Sequence, residues 1–310
     1  MAADRAALTG HMDDFLAALA GRDPAKARLA AAVRYTENGQ TLPIGEGAWA
    51  TVDRLGGYRH DVADPESGNI ATIVTIVEGN THSILVVRLG IKGDAITEIE
   101  AFAARPDMMT GGGPFAQGPA ALNESGGPDP HWAAPIPEAE RMTRDELRHI
   151  ADLYFAGIEK NDGNGEYPFA DDCIRIENGF QTTGSGVAAP EEATPHQGTQ
   201  DSDTPYRLDF KAMTAKQQCE TGYFAFVDRI RHRRFPVIDV ERGLVFAFAF
   251  FDHSGTIREY HLANGAKVSA GVERPFSWEI GEAFKIERGL LTRIEAVMTA
   301  CPYGMPPGWP

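Results

Sequence analysis

The tripeptide Glu-Asn-Gly occurs twice in this chain of 310 residues, at positions 37–39 and 177–179. An alternating run precedes each copy, reading V-x-Y-x-E before the first Asn-Gly and C-x-R-x-E before the second. A period of two residues is typical of a β-strand, and it places the alternate side chains on one face. Such a repeat constrains the fold strongly, because both copies are expected to form the same unit.

Three further pairs of segments match in the same order along the chain. They are FLAALAGRD (15–23) with YFAGIEKND (154–162), the skeleton R-x-x-V-x-D-x-E-x-G at 59–68 with 234–243, and ITEIEA (96–101) with LTRIEA (291–296). The first pair follows apolar residues at helical spacing, and the last pair predicts a closing strand. Four ordered matches predict a duplicated unit.

Each copy predicts helices followed by a run of antiparallel strands. The long helix of the second copy begins with the capping box Thr-Arg-Asp-Glu at 143–146, and Asp23-Pro24 predicts a short helix in the first copy. A later helix is predicted at 48–55 in the first copy and at 212–226 in the second. The strands of the first copy are predicted at 58–64, 69–77, 81–91 and 95–103. This order indicates an α+β fold, with helices on one face of a curved sheet.

The repeat also predicts the domain organisation. Residues 1–104 form the first repeat and residues 141–310 the second, and a segment rich in Gly and Pro at 105–140 is a linker or a wrapping arm. The second repeat carries two insertions, at 184–203 and 261–275. Long loops in compact domains are often lids or binding loops.

Charge and composition exclude several classes of function. The net charge of −15 opposes binding to nucleic acid, which rewards a basic face. We expect no membrane span and a cytoplasmic protein, because no apolar run is long enough and the first residues lack a signal-peptide centre. The three cysteines and nine histidines show neither a disulfide framework nor a metal motif, so we expect no metal site.

The order of elements and the strand patterns resemble the nuclear transport factor 2 superfamily. This is the cone-shaped α+β fold of SnoaL-like cyclases, ketosteroid isomerase and scytalone dehydratase. More narrowly, the doubled unit, the run VDRIRHRRFPVIDVERGLVFAFAFFDH and the terminal CPYGMPPGW are similar to a family that includes sphingomonad lyases acting on lignin-derived aromatic dimers. The resemblance covers both repeats.

The resemblance implies a γ-formaldehyde lyase that converts a phenolic diarylpropane diol to a stilbene and formaldehyde without a cofactor. Such a reaction needs a group that supports the phenolate, an acid that expels the benzylic hydroxyl and a base for the terminal alcohol. Neither a metal nor a nicotinamide is required. The superfamily also implies a homo-oligomer that associates through exposed sheet faces, with a small aromatic substrate as the other partner.

Six residues are candidates for catalysis. Alternation places Tyr58 and His60 on one strand face and Arg59 on the other, so one of these sets is expected to reach a pocket, unless the strand is a polar sheet edge. Glu177 is a candidate acid or base, and Arg175 either holds a phenolate or pairs with Glu177. The sixth candidate is Arg234, because its counterpart Arg59 recurs in the matched skeleton; the basic block at 229–234 otherwise reads as a solvated strand face.

Six further residues are candidates for substrate binding. They are Tyr35, Glu37, Asn38, Asn178, Tyr260 and His261. The carboxylates and amides of the Glu-Asn-Gly motifs serve instead to fix a turn at the end of a strand in the alternative interpretation. Tyr260 and His261 begin an insertion, where they are expected at the mouth of the pocket.

Two other functions remain open from the sequence. A dehydratase or isomerase acting on a polyketide-like or steroid-like substrate uses the same fold and a similar set of His, Tyr and carboxylate groups. A small-molecule-binding module without catalytic activity is also compatible with this superfamily, since a fold does not determine a function.

Overall fold

The computed structural model describes residues 4–107, 114–184, 212–270, 272 and 274–309. Within these ranges, two six-stranded sheets occupy the two halves of the sequence, together with a two-stranded ribbon and a small number of helices. The predicted α+β class is confirmed. The glycines at 111–113 and, apart from Gly184, the predicted insertion at 184–203 lie outside the described residues.

The first sheet has the strand order β2-β1-β6-β5-β4-β3. Its strands are β1 (Leu29–Glu37), β2 (Gln40–Thr41), β3 (Arg54–Asp64), β4 (Asn69–Glu78), β5 (Thr81–Lys92) and β6 (Ala95–Ala104). The four predicted strands from 58 to 103 are confirmed to within a few residues, with β3 starting earlier than expected.

The second sheet repeats this arrangement in the order β8-β7-β14-β13-β10-β9. Its strands are β7 (Phe169–Glu177), β8 (Phe180–Gln181), β9 (Arg229–Asp239), β10 (Leu244–His253), β13 (Phe276–Glu287) and β14 (Leu290–Cys301). The predicted insertion at 261–275 contains part of the ribbon of β11 (Glu259–His261) and β12 (Lys267–Ser269).

Both large sheets are mixed, so the prediction of purely antiparallel sheets is wrong. The last four strands of each sheet in chain order form a meander of antiparallel pairs, namely β3 to β6 in the first sheet and β9, β10, β13 and β14 in the second. However, β1 pairs parallel with β6, and β7 pairs parallel with β14. The reason is topological: the closing strand of the meander lies beside the first strand and runs in the same direction. Residues 38–53 and 178–228 connect the first strand of each unit to its meander, as a parallel arrangement requires.

One long helix covers the outer face of each sheet. The helix α1 (Arg5–Ala20) buries Leu8, Met12, Phe15, Leu16 and Leu19, and α4 (Arg144–Glu159) buries Leu147, Ala151, Tyr154, Phe155 and Ile158. The capping box predicted at Thr143 is present. The shorter helices of the described residues are α2 (Ala48–Thr51), α3 (Gly118–Ser125) and α5 (Ala215–Glu220).

The later helix of each copy is shorter than predicted. In the first copy α2 ends at Thr51, because β3 begins three residues later at Arg54. In the second copy α5 ends at Glu220, and Gly222 takes the left-handed conformation with φ of 74° before a 3-10 turn at Tyr223–Phe226. Gly accepts this conformation without steric cost, which interrupts the helix predicted at 212–226.

The inner faces of the two sheets pack against each other. Apolar side chains of both sheets form one shared core, which includes Val62, Val86, Phe102, Val237, Phe246 and Val297. The sheets approach closely at Gly281, where an added Cβ would lie 2.8 Å from Val86 Cγ1. These inner faces are therefore buried within the chain, and the expected homo-oligomer stays a prediction.

Reciprocal ion pairs join each long helix to the sheet of the other unit. Arg144, the first residue of α4, places Nη2 2.7 Å from the buried Asp64 at the end of β3. Arg5, the first residue of α1, places Nη2 2.6 Å from the buried Asp239 at the end of β9. These contacts give a physical reason for the aspartate in the repeated V-x-D-x-E skeleton.

Candidate functional site

The outer face of the second sheet carries a charged cluster under α4. Arg175 and Glu177 point from β7, Glu282 points from β13, and Tyr154 of α4 lies within interaction range of all three. Glu177 and Glu282 both lie opposite Ala296 of the intervening strand β14, so their backbones are two strand spacings, or about 10 Å, apart. We call these four residues the α4 cluster.

The guanidinium of Arg175 is held in place by neighbours on two sides. Its Nε lies 3.5 Å from Glu177 Oε1 and donates to Thr182 Oγ1 at 3.1 Å, and Nη2 donates to Gln218 Oε1. Burial opposes the charge, but Glu177 and the Tyr154 oxygen favour it and raise the pKa of Arg175 above its usual value. The sequence left open whether Arg175 pairs with Glu177, and the structure shows this pair.

Glu282 is a buried carboxyl whose surroundings favour its protonated form. Burial raises its pKa to about 8; Glu177 acts in the same direction, whereas the hydrogen bond from Tyr154 and the charge of Arg175 act against it. Its side chain is 1% exposed, and Oε1 has no hydrogen-bond partner among the described residues. A neutral carboxyl in this state is suited to donate a proton.

An aromatic wall continues along the same face of the second sheet. His253 stacks on Phe276 with ring centroids 4.5 Å apart and contacts Trp278 edge-on at 4.5 Å, and Phe226 lies on its other side. Burial lowers the pKa of His253 to about 4, so its imidazole is neutral. Trp278 precedes Glu282 by four residues of β13, which corresponds to about 13 Å along the strand. The face thus has a charged end and an aromatic end.

The first unit lacks this charged cluster at the matching positions. Phe15 replaces Tyr154, Tyr35 replaces Arg175, and the register of β5 and β6 places Val87 where the second unit has Glu282. Glu37 keeps the place of Glu177, but its Oε2 accepts hydrogen bonds from Tyr35 Oη at 2.5 Å and from the Ala48 amide at 2.7 Å. The two units are therefore chemically different at this face.

Tyr58 and His60 lie together, but on the inner face between the sheets. Both contact Glu295 of the other unit: Tyr58 Oη lies 2.9 Å from each carboxylate oxygen, and His60 Nδ1 lies 2.7 Å from Oε2. The ring of Trp132 packs on His60 at 4.5 Å. Arg59 points to the opposite face, where it pairs with Asp61, so the division predicted from alternation is present.

Arg234 also lies between the sheets, where it pairs with Glu100 of the first sheet. The matched skeleton equated it with Arg59, and this equivalence is wrong in three dimensions. Irregular register in β9 places Arg234 opposite Phe248, and the corresponding position in the first sheet is occupied by His60 opposite Ile73. The predicted catalytic residues thus fall into separate places, and Arg175 with Glu177 belong to the α4 cluster.

The residues predicted for substrate binding have mainly local contacts. Asn38 Oδ1 accepts from the Ala103 amide at 3.0 Å, and Asn178 Oδ1 accepts from the Met298 amide at 2.8 Å. Both asparagines take positive φ values in the turns after β1 and β7, which favours the turn-fixing alternative. Tyr260 donates to the carbonyl of Tyr223 at 2.5 Å, and His261 is exposed on β11.

Sequence reasoning missed Glu282, Glu295 and the pairing of Tyr154 with a carboxyl. A usable signal was present for two of them, because the aligned repeats have Tyr154 where the first copy has Phe15, and Glu282 where it has Val87. The second substitution becomes visible only with the register of the strands. A polar residue that replaces an apolar one at a buried position is a strong indication of a site.

A surface cleft of about 1140 Å³ lies elsewhere, in the first unit beside α3. Its lining includes Glu78, Arg105 and Asn123, and it contains none of the clusters described above. Among the described residues, no helix is long and apolar enough to cross a membrane. The same part of the chain shows no group of three or more His, Cys, Asp or Glu side chains arranged to hold a metal ion.

Comparison with protein families decides the classification of the chain. Residues 140–298 match the model of DUF8021, which is described as a domain of unknown function. The chain belongs to the DUF8021 family. The matched residues span just over half of the protein, and they contain the α4 cluster and the aromatic wall. The DUF8021 match therefore falls on the unit that carries the charged cluster.

Other comparisons give distant similarities. The comparison with curated proteins finds no match. Among solved structures, a de novo designed protein with a curved β-sheet has 13% identity and a TM-score of 0.26, covering 50% of this chain and 87% of its own. A Bacillus subtilis protein described as a "putative isomerase" has 11% identity and a TM-score of 0.26, covering 50% of this chain and 84% of its own. Similarities at this level carry no argument about function.

Proposed function

We propose that this DUF8021 protein is a cofactor-independent carbon–carbon lyase that cleaves a phenolic, lignin-derived diarylpropane diol to a stilbene and formaldehyde. The observation that carries the proposal is Glu282, a carboxyl with a raised pKa and an oxygen that has no partner within the described part of the chain, held beside the cation Arg175 and the second carboxyl Glu177. An acid, a base and a cation are the three groups that this reaction needs.

In the first step the substrate loses its benzylic hydroxyl. Arg175 stabilises the phenolate on the ring, and Tyr154 contributes a second hydrogen-bonding group. Electrons from the phenolate expel the benzylic oxygen while Glu282 gives it a proton, so that water leaves and a quinone methide forms. Burial of Arg175 strengthens its interaction with the phenolate, because solvent does not screen it.

In the second step the terminal carbon leaves as formaldehyde. Glu177 accepts the proton of the terminal alcohol, the carbon–carbon bond breaks, and its electron pair flows into the quinone methide to restore the phenolate. The products are one stilbene, one formaldehyde and one water, with no net oxidation. Glu177 suits the role of base because its half-buried side chain reaches solvent, to which the proton is returned.

The dimensions of the face support a substrate with two rings. The aromatic wall begins about 13 Å from Glu282 along β13, which is comparable to the length of two aryl groups joined by a short chain. In this proposal one ring reaches the α4 cluster, and the other stacks on Phe276 and Trp278. Offset or edge-on stacking of aromatic rings contributes about 1 kcal/mol beyond burial.

We also propose that each unit is a nuclear transport factor 2-like cone. The support is the shared strand order of the two sheets, the long helix on the outer face of each, and the short helix between the first strand and the meander. In this proposal residues 1–104 and 141–310 are the two units, and 105–140 is the arm between them.

The direct test is turnover of a 1,2-diarylpropane-1,3-diol that bears free phenols. The full chain, without added metal or cofactor, is mixed with the diol while stilbene absorbance and trapped formaldehyde are recorded together. We expect both products in equal amounts. Absence of both products overturns the lyase proposal.

The same experiment separates the rival functions. Loss of water without formaldehyde would indicate a dehydratase, and a change in absorbance without either product would indicate an isomerase. Saturable binding of the diol with no product would indicate a binding module. A matched diol with both phenols methylated is the control, since it cannot form the quinone methide and is expected to remain uncleaved.

A further inference from the structure

A second group of polar side chains lies on the inner face of the second sheet, away from the α4 cluster. Thr299, Glu279, Phe250 and Arg231 form one row across four neighbouring strands. Arg234 lies opposite Phe248, two residues from Phe250 on β10 and therefore on the same face. We call Arg231, Arg234, Glu279 and Thr299 the inter-sheet cluster.

Both arginines of the inter-sheet cluster are fixed by a carboxylate and an aromatic ring. Arg231 Nε donates to Asp252 at 2.8 Å, and its guanidinium carbon lies 4.7 Å from the ring centroid of Phe250. Arg234 pairs with Glu100, and its guanidinium carbon lies 5.3 Å from the ring of Phe248. Such anchoring orients the remaining N–H groups before any ligand arrives.

Each member of the inter-sheet cluster retains a buried polar atom without a partner among the described residues. These atoms are Arg231 Nη2, Arg234 Nε, Glu279 Oε2 and Thr299 Oγ1. Glu279 is 5% exposed and Thr299 is 1% exposed. Buried polar groups are usually hydrogen-bonded, so four such atoms on one face indicate a missing partner.

The free groups are mainly hydrogen-bond donors. Burial raises the pKa of Glu279 to about 8, with Glu100 adding to the effect and Arg234 opposing it, so Glu279 carries a proton at neutral pH. Its hydroxyl, the threonine hydroxyl and the two guanidinium N–H groups all donate. Arg231 is already paired with Asp252, and Arg234 with Glu100, so the free N–H and O–H donors, and not an unbalanced positive charge, favour an anion with acceptor oxygens. Guanidinium groups match a carboxylate in geometry.

We propose that the inter-sheet cluster is a binding site for a small carboxylate anion. The ligand enters from the side of β9, the outermost strand of the second sheet, where Arg231 and Arg234 are 14% and 17% exposed and Glu279 lies deeper. Such a site gives a binding role to Arg234 and the basic block at 229–234. The lyase proposal does not involve these residues.

The first sheet lacks the equivalent groups. The registers that pair Glu279 with Thr299 pair Ile84 with Ala104 at the matching place, and both of these side chains are buried and apolar. The polar pair therefore belongs to one unit of the duplicated fold. A requirement of the fold alone would apply to both units.

The test uses acetate as the probe and the full chain as the protein. Calorimetric titration at constant ionic strength is expected to show saturable binding of one acetate per chain, and acetamide, its neutral isostere, is expected to bind much more weakly. Thr299→Val keeps the shape and removes one donor, and Arg231→Gln removes a charged donor. Each is expected to weaken acetate binding by about tenfold or more, since hydrogen bonds to charged groups contribute about 1.5–3 kcal/mol.

Arg233→Gln is the matched control, because Arg233 belongs to the same basic block but pairs with Asp152 and Glu159 of α4. It is expected to bind acetate as the wild-type protein does. The proposal is overturned if acetate does not bind, if acetamide binds equally well, or if Thr299→Val binds acetate normally. Thr299→Val keeps the test decisive if Arg231→Gln does not fold. The outcome is independent of turnover at the α4 cluster.

Discussion

At the scale of single residues, two glutamates on one strand show how the surrounding residues determine the pKa of a carboxyl. Glu279 and Glu282 are three residues apart on β13 and point to opposite faces, and burial raises the pKa of each to about 8. The sequence FSWEIGEAFKIE shows charges within an apolar strand, but it does not show which neighbours each carboxyl meets. Those neighbours come from β6, β7, β9 and α4, which are distant in the chain.

The raised pKa of Glu282 predicts a dependence of stability on pH. A carboxyl with a higher pKa in the folded state than in the unfolded state stabilises the fold at low pH, and this contribution is lost as the pH rises through about 8. Glu282→Gln removes the titration. Between pH 5 and pH 8.5, the free energy of unfolding measured in urea is expected to fall by roughly 2–4 kcal/mol more for the wild type than for this variant. If the free energies of unfolding of the two proteins differ by the same amount at both pH values, the pKa of Glu282 is not raised.

The raised pKa of Glu282 also predicts how turnover depends on pH. If Glu282 is the acid, the rate of stilbene formation falls about tenfold for each pH unit above 8, because the protonated fraction falls in that proportion. The measurement is the initial rate between pH 6 and pH 10. A rate that stays level to pH 10 would assign the proton to another group.

At the scale of elements, the repeated Asn-Gly turn joins the first strand of each unit to its closing strand. The side chain of Asn178 forms two hydrogen bonds with the Met298 backbone, and Asn38 accepts one from the Ala103 amide. The sequence predicted the strands and the turns, since alternation and Asn-Gly are local signals. It did not predict the parallel pairs or the irregular register of β9, where His232 has a φ of 54°, because pairing is decided between distant segments.

Loss of the Asn178 side chain is expected to destabilise the second unit. Asn178→Ala removes two buried hydrogen bonds and places alanine at a positive φ, so we expect a loss of about 2–4 kcal/mol in the free energy of unfolding. Asn38→Ala removes one bond and is expected to cost less. Urea unfolding of both variants measures the difference, and equal costs would contradict the assignment of a larger role to Asn178.

At the scale of the whole molecule, two similar units are locked together face to face. The shared inner core and the reciprocal pairs of Arg5 and Arg144 connect each unit to the other. The repeat was visible in the sequence, so the fold class and most strands followed from it. The packing of the two inner faces on each other was not visible in the sequence. A strand that is buried on both faces has a similar apolar pattern whether its second face is covered by the same chain or by another protein.

The contact between Arg144 and Asp64 predicts a measurable contribution to the stability of the whole chain. Asp64 is 0% exposed, so Arg144→Gln leaves a buried carboxylate without its cation and is expected to cost about 3 kcal/mol. Arg148→Gln on the same helix breaks an exposed pair with Asp145 and is expected to cost less than about 0.5 kcal/mol. Equal costs in urea unfolding would show that the inter-unit pair adds nothing beyond a surface contact.

The proposed lyase depends on Glu282 of the second unit as its acid. The most direct measurement is the initial rate of stilbene and formaldehyde formation at pH 7 by Glu282→Gln, compared with the wild type and with Glu287→Gln. Glu287 lies at the end of the same strand and pairs with His131, away from the α4 cluster. We expect a rate lower by about 100-fold or more for Glu282→Gln and a near wild-type rate for the control. A folded Glu282→Gln variant that turns over the diol at the wild-type rate would contradict this role of Glu282.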